Sequence, residues 1–325
     1  MKNILYTINL IVFLLNVNYS QSKNPSVLVF KHITVKPVVD SVSENILEVE
    51  SFRSVYHEKT NSASINYIAW SHTGNFIVIT VGNIYTSDCD DIWVISTHDK
   101  SIHCITSIFP RDSQHYYRIP VWKNADTLAF STPKFNVIYD VVTDKLVSQL
   151  KTSDQTEPSY FSPNGELRLQ EEENGNMIWV CTREGKKIIT IGERDFGGSV
   201  LGRSFSTDSR LLFYEQLIGH GVSHIMMADM KSLSLYIMKL SFNIMSGTYG
   251  VSNWYPGKDI FHITDDQGGL HFLDVASRSD RTFNIPDYYI QGAAWSPDGS
   301  NLALILQNKK GGAEFIRILK NPITN

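Results

Sequence analysis

Two kinds of side chain recur along this chain at spacings that suit recognition better than covalent chemistry. Short polar segments return with an aromatic ring: His115-Tyr116-Tyr117-Arg118, Glu193-Arg194-Asp195-Phe196, Thr248-Tyr249 and Asp287-Tyr288-Tyr289, three of them with a charge beside it, and with Asp154 to Glu157 as a fifth segment that lacks the ring. Acids gather in a second series at Asp88 to Asp91, Glu171-Glu172-Glu173, Glu215 and Asp265-Asp266, with Lys309-Lys310 as its exception. Flat rings flanked by carboxylates suit a sugar, a cationic peptide or a bound cation. The candidate binding residues are therefore Tyr116, Tyr117, Arg118, Glu157, Asp195, Tyr249, Asp287, Tyr288 and Tyr289. The plainer reading has the tyrosines as packing and the acids as solvated loops.

His220 and His224, in Gly219-His220-Gly221-Val222-Ser223-His224, could supply half a metal site together with His262 or His271. Against this, no helix is expected there to align the pair, and His271 falls inside a strand. Carboxylates on separate segments could act as general acid and base on a carbohydrate or uronate, which keeps a lyase or hydrolase as the alternative. No Gly-x-Ser-x-Gly elbow or phosphate-cradling glycine loop occurs. No cofactor is implied. With 29 Lys and Arg against 33 Asp and Glu, and no basic stripe, the charge does not favour nucleic acid.

Positioning such loops falls to a repeat. An apolar strand ending in an aromatic, a small polar turn and a second apolar strand recur six times, with anchors Trp70, Trp122, Phe161, Phe205, Trp254 and Trp295. The anchors lie 52, 39, 44, 49 and 41 residues apart, about the length of a propeller blade. In the turns Ser accepts local hydrogen bonds, Pro presets φ, Asp or Asn caps and Gly supplies positive φ. A second echo follows each anchor at Ile92 to Ile95, Val137 to Asp140, Ile178 to Cys181, Ile225 to Asp229, Leu270 to Asp274 and Phe315 to Ile318. The first five of these are followed by polar turn residues and a further short strand, such as Ser101 to Ser107 or Lys187 to Ile191.

On Trp295-Ser296-Pro297-Asp298-Gly299, Phe161-Ser162-Pro163-Asn164-Gly165 and the downstream Ile-Trp-Val strands, residues 60 to 325 resemble the TolB-type propeller repeat, a relative of the WD repeat. The resemblance implies an all-β, six-bladed β-propeller of four-stranded antiparallel blades. It says nearly nothing of function. Two departures stand out: residues 21–60 cannot hold the α/β domain that precedes the propeller in TolB itself, and the second and fourth turns lack Pro-Asp-Gly. In such blades the loops from outer strand to next inner strand share one end with the hairpins joining second and third strands. That would put both recurring series on one face.

The last copy ends without an outermost strand. Ser26 to Val35 or Ile46 to Tyr56 could fill it and close the ring, and having both leaves room for a seventh blade. Upstream, Lys2, the apolar run from Ile4 to Val17 and the small polar Asn18 to Ser22 read as an export signal over residues 1–20, too short to span a bilayer, which takes roughly 20 apolar residues. The mature chain is thus expected to be periplasmic or secreted, with no membrane span. Cys89, Cys104 and Cys181 are expected to be free, because a hairpin between strands at 91–97 and 101–107 would set Cys104 opposite Val94, too far from Cys89 for a disulfide. The expected role is non-catalytic binding of a protein, peptide or glycan through the acidic, aromatic face.

Overall fold

The computed structural model describes residues 25–34, 46–48, 63–83, 91–109, 120–132, 134–151, 161–171, 178–191, 200–218, 222–244, 253–311 and 314–323. The described residues are mainly strands joined by short turns. Three strands precede the repeats: β1 (Ser26–Val29), β2 (Lys31–Thr34) and β3 (Ile46–Glu48). Blade 1 holds β4 (Ala63–Trp70), β5 (Phe76–Asn83), β6 (Asp91–Ser96) and β7 (Ile102–Cys104); blade 2 holds β8 (Val121–Trp122), β9 (Thr127–Ser131), β10 (Phe135–Asp140) and β11 (Lys145–Lys151). Blade 3 holds β12 (Leu167–Glu171), β13 (Ile178–Thr182) and β14 (Lys187–Ile191); blade 4 holds β15 (Val200–Phe205), β16 (Leu211–Ile218), β17 (Val222–Asp229) and β18 (Ser234–Lys239). Blade 5 holds β19 (Ile260–Thr264), β20 (Leu270–Asp274) and β21 (Ser279–Phe283); blade 6 holds β22 (Tyr288–Trp295), β23 (Asn301–Asn308) and β24 (Glu314–Lys320). In blades 3 and 5 the described residues show the innermost strand only as the single bridges Phe161–Arg168 and Trp254–Phe261. The result is a six-bladed all-β propeller.

The six aromatic anchors occupy equivalent places. Each pairs with the residue that opens the core of its blade's second strand: Trp70 with Ile77, Trp122 with Leu128, Phe205 with Leu212 and Trp295 with Leu302, while Phe161 and Trp254 make the two bridges. Three of the indoles also reach the preceding blade. Trp70 Nε1 donates to Ala294 O (2.9 Å), Trp122 Nε1 to Ala69 O (3.3 Å) and Trp254 Nε1 to Ser204 O (3.3 Å), in every case the residue before the neighbouring anchor. The core accordingly lies between blades. One cluster joins Ile65, Trp70 and Ile79 to Ala303 and Ile316; others fill the junctions of blades 1 and 2, 3 and 4, 4 and 5, and 5 and 6. Ile77, Val78 and Ile79 are all fully buried, because a second strand is covered on both faces and reads as a continuous apolar run.

The turns form as their residues dictate. In blades 1, 3, 4 and 6, the hydroxyls of Ser71, Ser162, Ser206 and Ser296 accept the backbone N–H five residues on, at 2.8–3.1 Å. Ser162, Ser206 and Ser296 donate in turn to Asn164, Asp208 and Asp298 at 2.6–2.7 Å. Where blade 4 lacks glycine, Ser209 takes the positive φ of 62°.

The N-terminal segment supplies the closing strand expected of it, and also an unexpected addition. Ile46–Glu48 closes the ring, β3 lying antiparallel to β24 as the outermost strand of blade 6. Ser26 to Thr34 instead adds an outer edge strand to two neighbouring blades, β1 running parallel to β18 as the fifth strand of the blade 4 sheet and β2 parallel to β21 as the fourth of the blade 5 sheet. The chain crosses between them at Phe30, whose N–H meets Lys239 O (3.5 Å) while Lys31 N–H meets Arg278 O (2.8 Å). Leu28 and Phe30 are buried in the junction of blades 4 and 5, and Val27 and Val29 face out at 56% and 59% exposure. Alternating burial of one face is what an edge strand can satisfy. With both segments used this way, the described residues form no seventh blade.

The cysteine expectation holds for Cys104 and Cys181, both free; Cys89 lies outside the described residues. The register differs by one: Cys104 faces Trp93, and His103 faces Val94. The expected strand at 101–107 also ends at Cys104, where a 3-10 turn, Ile105–Ile108, begins.

Candidate functional site

Of the loops named from the sequence, the described residues show those that meet at the junction of blades 5 and 6. The Asp265 to Gly269 hairpin of blade 5 lies against the start of β22, with Ile290 N–H donating to Gly268 O (3.0 Å). Gly268 has φ +78°, and a Cβ there would fall 2.8 Å from Tyr289 Cα, so no larger residue fits. Lys309 N–H donates to Asp287 O (2.9 Å), which brings the hairpin of blade 6 onto the same end. At this junction the Asp265 to Gly269 hairpin and the segment at Asp287 to Tyr289 therefore lie side by side.

The predicted tyrosines here do different things. Tyr288 is half-buried, edge-on to Phe315 (centroids 5.2 Å apart) and beneath the Arg317 guanidinium (5.6 Å). Tyr289 is exposed (37%), with the Lys309 ammonium 5.2 Å from its ring centre. Asp287, Asp266 and Gln267 are exposed around it. Tyr116, Tyr117, Arg118, Glu157, Asp195, Tyr249 and His220 lie outside the described residues.

Several acids expected around the aromatics turn inward. Asp91 and Glu215 are each 1% exposed and Asp265 is 9%. Asp91 accepts from the Thr106 hydroxyl (3.1 Å) and the Cys104 thiol (3.7 Å). Burial pushes that thiol's pKa up, and the charge of Asp91 adds to the effect. A buried acid that the sequence did not single out, Glu314, accepts from Ile65 N–H (2.6 Å) and the Ser64 hydroxyl (3.1 Å), tying blade 6 to blade 1. Its burial raises its pKa more than those two donors lower it.

A dense polar cluster lies at blade 5. His271 Nε2 lies 3.0 Å from Asp265 Oδ2, and its Nδ1 lies 2.9 Å from Asp280 Oδ1. Phe242 stacks on the imidazole at 3.5 Å, and the Thr282 hydroxyl is 3.2 Å from Nδ1. From β2, His32 brings its own Nδ1 to 3.1 Å from Asp280 Oδ2. Burial alone would lower the pKa of His271, but hydrogen bonds and charge from Asp280 and Asp265 together raise it. His262 stands in contrast. It is fully buried, Nε2 lies 3.0 Å from Ala293 O, Nδ1 has no partner, and desolvation pushes its pKa down to about 4.

The candidate pair His220 and His224 is not described as a pair, since His220 lies outside the described residues. The group of potential metal ligands among the described residues is His32, His271 and Asp280, and His224 is not part of it. Sequence reasoning missed His32 and Asp280, and it set His271 aside for sitting in a strand. In a propeller blade a strand position can be where three elements converge. The available signal was the alternation in Lys31-His32-Ile33, which sets His32 on one face of a strand.

No family model matches this chain, and no curated protein does. Among solved structures, a chain in the crystal structure of a mitotic checkpoint complex aligns over 87% of this chain and 94% of its own, with a TM-score of 0.52 at 14% identity. The fold is a WD-repeat-like β-propeller. At that identity the likeness is one of architecture. A propeller of this kind presents its loops as a rigid end surface, and at the junction of blades 5 and 6 this one offers a ring, an ammonium and carboxylates within one patch. A cavity between blades 1 and 2, lined in part by His103, Tyr139 and Asp144, has a volume of about 160 Å³, well under the usual range for a small-molecule site. No helix among the described residues is long and apolar enough to cross a membrane.

Proposed function

We propose that this chain is an exported, non-catalytic propeller that binds a protein or peptide partner through the loop-bearing end, with the Tyr289 patch as one contact. The observation that carries the reading is an exposed aromatic held on rigid backbone: Tyr289 is fixed by the Gly268 contact and flanked by Lys309, Asp287 and Asp266. An aromatic anchor with little conformational freedom to lose, ringed by charges of both signs, is how protein interfaces concentrate affinity. The checkpoint-complex chain belongs to a multi-protein assembly, and that adds support of a general kind. A glycan would also use the ring, but the mixed charge favours a peptide. The lyase or hydrolase alternative would draw on open acids, and Asp91, Glu215 and Asp265 are buried. Export is supported by the residues 1–20 pattern, and the TolB-type assignment by the Ser-Pro-Asp-Gly turns.

The test is affinity capture from the producing cells' envelope and medium, with wild-type protein, a Tyr289→Ala/Asp287→Ala variant and a His72→Ala control at the opposite end. Partners retained by the control and lost by the double variant support the proposed face. The same partners recovered by all three would remove this face from the reading.

A further inference from the structure

The geometry points to a zinc site at His32, His271 and Asp280, where the N-terminal strand β2 docks on blade 5. It does not rest on the binding face proposed above, although Asp265 belongs to the hairpin that carries Gly268. Zinc is held at about 2.0–2.1 Å by nitrogen and oxygen, which sets tetrahedral ligand atoms about 3.3 Å from one another. His32 Nδ1 is 3.1 Å from Asp280 Oδ2, and His271 Nδ1 is 2.9 and 3.1 Å from the two Asp280 oxygens. All the ligand atoms lie within 4.8 Å of one another, and the exposed His32 ring on the edge strand is the ligand with room to swing inward and close the remaining gap around an ion.

The surroundings match a metal centre in three further ways. His271 turns its other nitrogen to a carboxylate, Asp265 Oδ2 at 3.0 Å, the outer-shell partner that fixes tautomer and ring plane in zinc-binding histidines. Asp265 is itself held, its Oδ1 accepting from Gln267 N–H (2.9 Å) and Gly269 N–H (2.6 Å), and Phe242 clamps the imidazole face. Charge closes as well: one doubly charged cation offsets Asp280 and Asp265, two carboxylates otherwise buried together. Finally, the Asp280 and His271 side chains are 2% and 5% exposed but His32 is 43%, which leaves an open side for entry and for a water in the fourth position, within reach of the Thr282 hydroxyl.

Two imidazoles and one carboxylate suit zinc rather than magnesium or calcium, which prefer oxygen alone. Copper(II) and nickel would compete by intrinsic affinity, so they belong in the test. The consequence is mechanical. A metal here ties β2 to a residue 248 positions away and pins the outer strap to the ring, the kind of long-range clip that restricts an unfolded chain most.

The experiment uses the full mature chain, without a histidine tag and stripped by chelator, titrated with zinc alone, then cobalt(II), nickel and copper(II). Variants are His32→Ala, exposed enough to leave folding intact, and His98→Ala as a surface-histidine control. The expected result is about one zinc per chain in wild type and in the control, with affinity lowered at least about tenfold in His32→Ala. Cobalt(II) should give tetrahedral visible bands that His32→Ala loses, and zinc should slow amide exchange at residues 31–34. Substoichiometric zinc in wild type, bands that survive His32→Ala, or exchange at 31–34 unchanged by bound zinc would each overturn the site. Tighter binding of copper or nickel with the same variant dependence would keep the site and follow the usual affinity order.

Discussion

His262 and His271 sit on neighbouring strands of blade 5 and answer burial in opposite ways. His271 has two carboxylates, while His262 Nε2 has no charged partner, only Ala293 O and the Asn253 side-chain amide, so desolvation holds its pKa near 4 against an ordinary 6.5. For a histidine so depressed the folded state resists the proton that the unfolded chain accepts. Its contribution to stability is therefore whole above pH 6.5 and declines as pH falls from 6.5 to 4. The span corresponds to about 3 kcal/mol. His262→Gln, which keeps a donor for Ala293 O, should flatten that limb: urea unfolding at pH 7 and pH 4.5 should show the wild type losing about 2–3 kcal/mol more than the variant. Equal losses would mean that His262 is protonated within the fold. Very little of this was legible from residue types. Asp91, Glu215 and Asp265 read as loop acids because each adjoins a polar run, and nothing in a linear pattern tells an acid facing water from one folded back onto Thr106 or His271.

At the scale of elements, local chemistry was legible and remote pairing was not. The Ser-x-Asp/Asn turn is written in adjacent residues and recurs with the same bonds in three blades. Replacing Ser206 by Ala removes a donor to Asp208 and leaves the Leu211 N–H unpartnered beside a buried core, so Ser206→Ala should cost about 1–2 kcal/mol by denaturant titration. Thr207→Ala, exposed in the same turn, should cost less than about 0.5 kcal/mol. The strap is different. Parallel edge pairing of β1 with β18 and β2 with β21 leaves no mark in the partner strands, so an apolar stretch that could close the ring looks the same as one that girdles it. Its anchor is Phe30, and Phe30→Ala should lower stability by about 3 kcal/mol, against under about 1 kcal/mol for the outward Val29→Ala. Thermal unfolding of both variants checks this, and similar losses would mean the strap is not docked in solution.

For the molecule as a whole, the question is what holds the ring shut. The pairing of β3 with β24 is the visible clasp, but it spans three residue pairs at the outer rim. The same junction is also sealed nearer the axis. Trp70, Ile79, Ala303 and Ile316 share one buried cluster, Trp70 Nε1 binds Ala294 O, and Glu314 takes the Ile65 N–H. Those contacts lie within residues 61–325 and are of the kind that join the other blades, so the clasp protects an edge more than it closes a circle. A chain beginning at Asn61 should therefore still unfold in one cooperative transition, at a lower temperature because Leu28 and Phe30 are gone. It should also self-associate, since the outer edges of β18, β21 and β24 are all uncovered at once. Trp70→Ala in the full chain should do the reverse: it stays monomeric at low temperature but loses about 3–5 kcal/mol, because the cavity opens inside the sealing core. Calorimetry with light scattering on the two proteins separates the roles. Loss of cooperative unfolding in the truncated chain, with Trp70→Ala only mildly affected, would move ring closure from the Trp70 core to the rim.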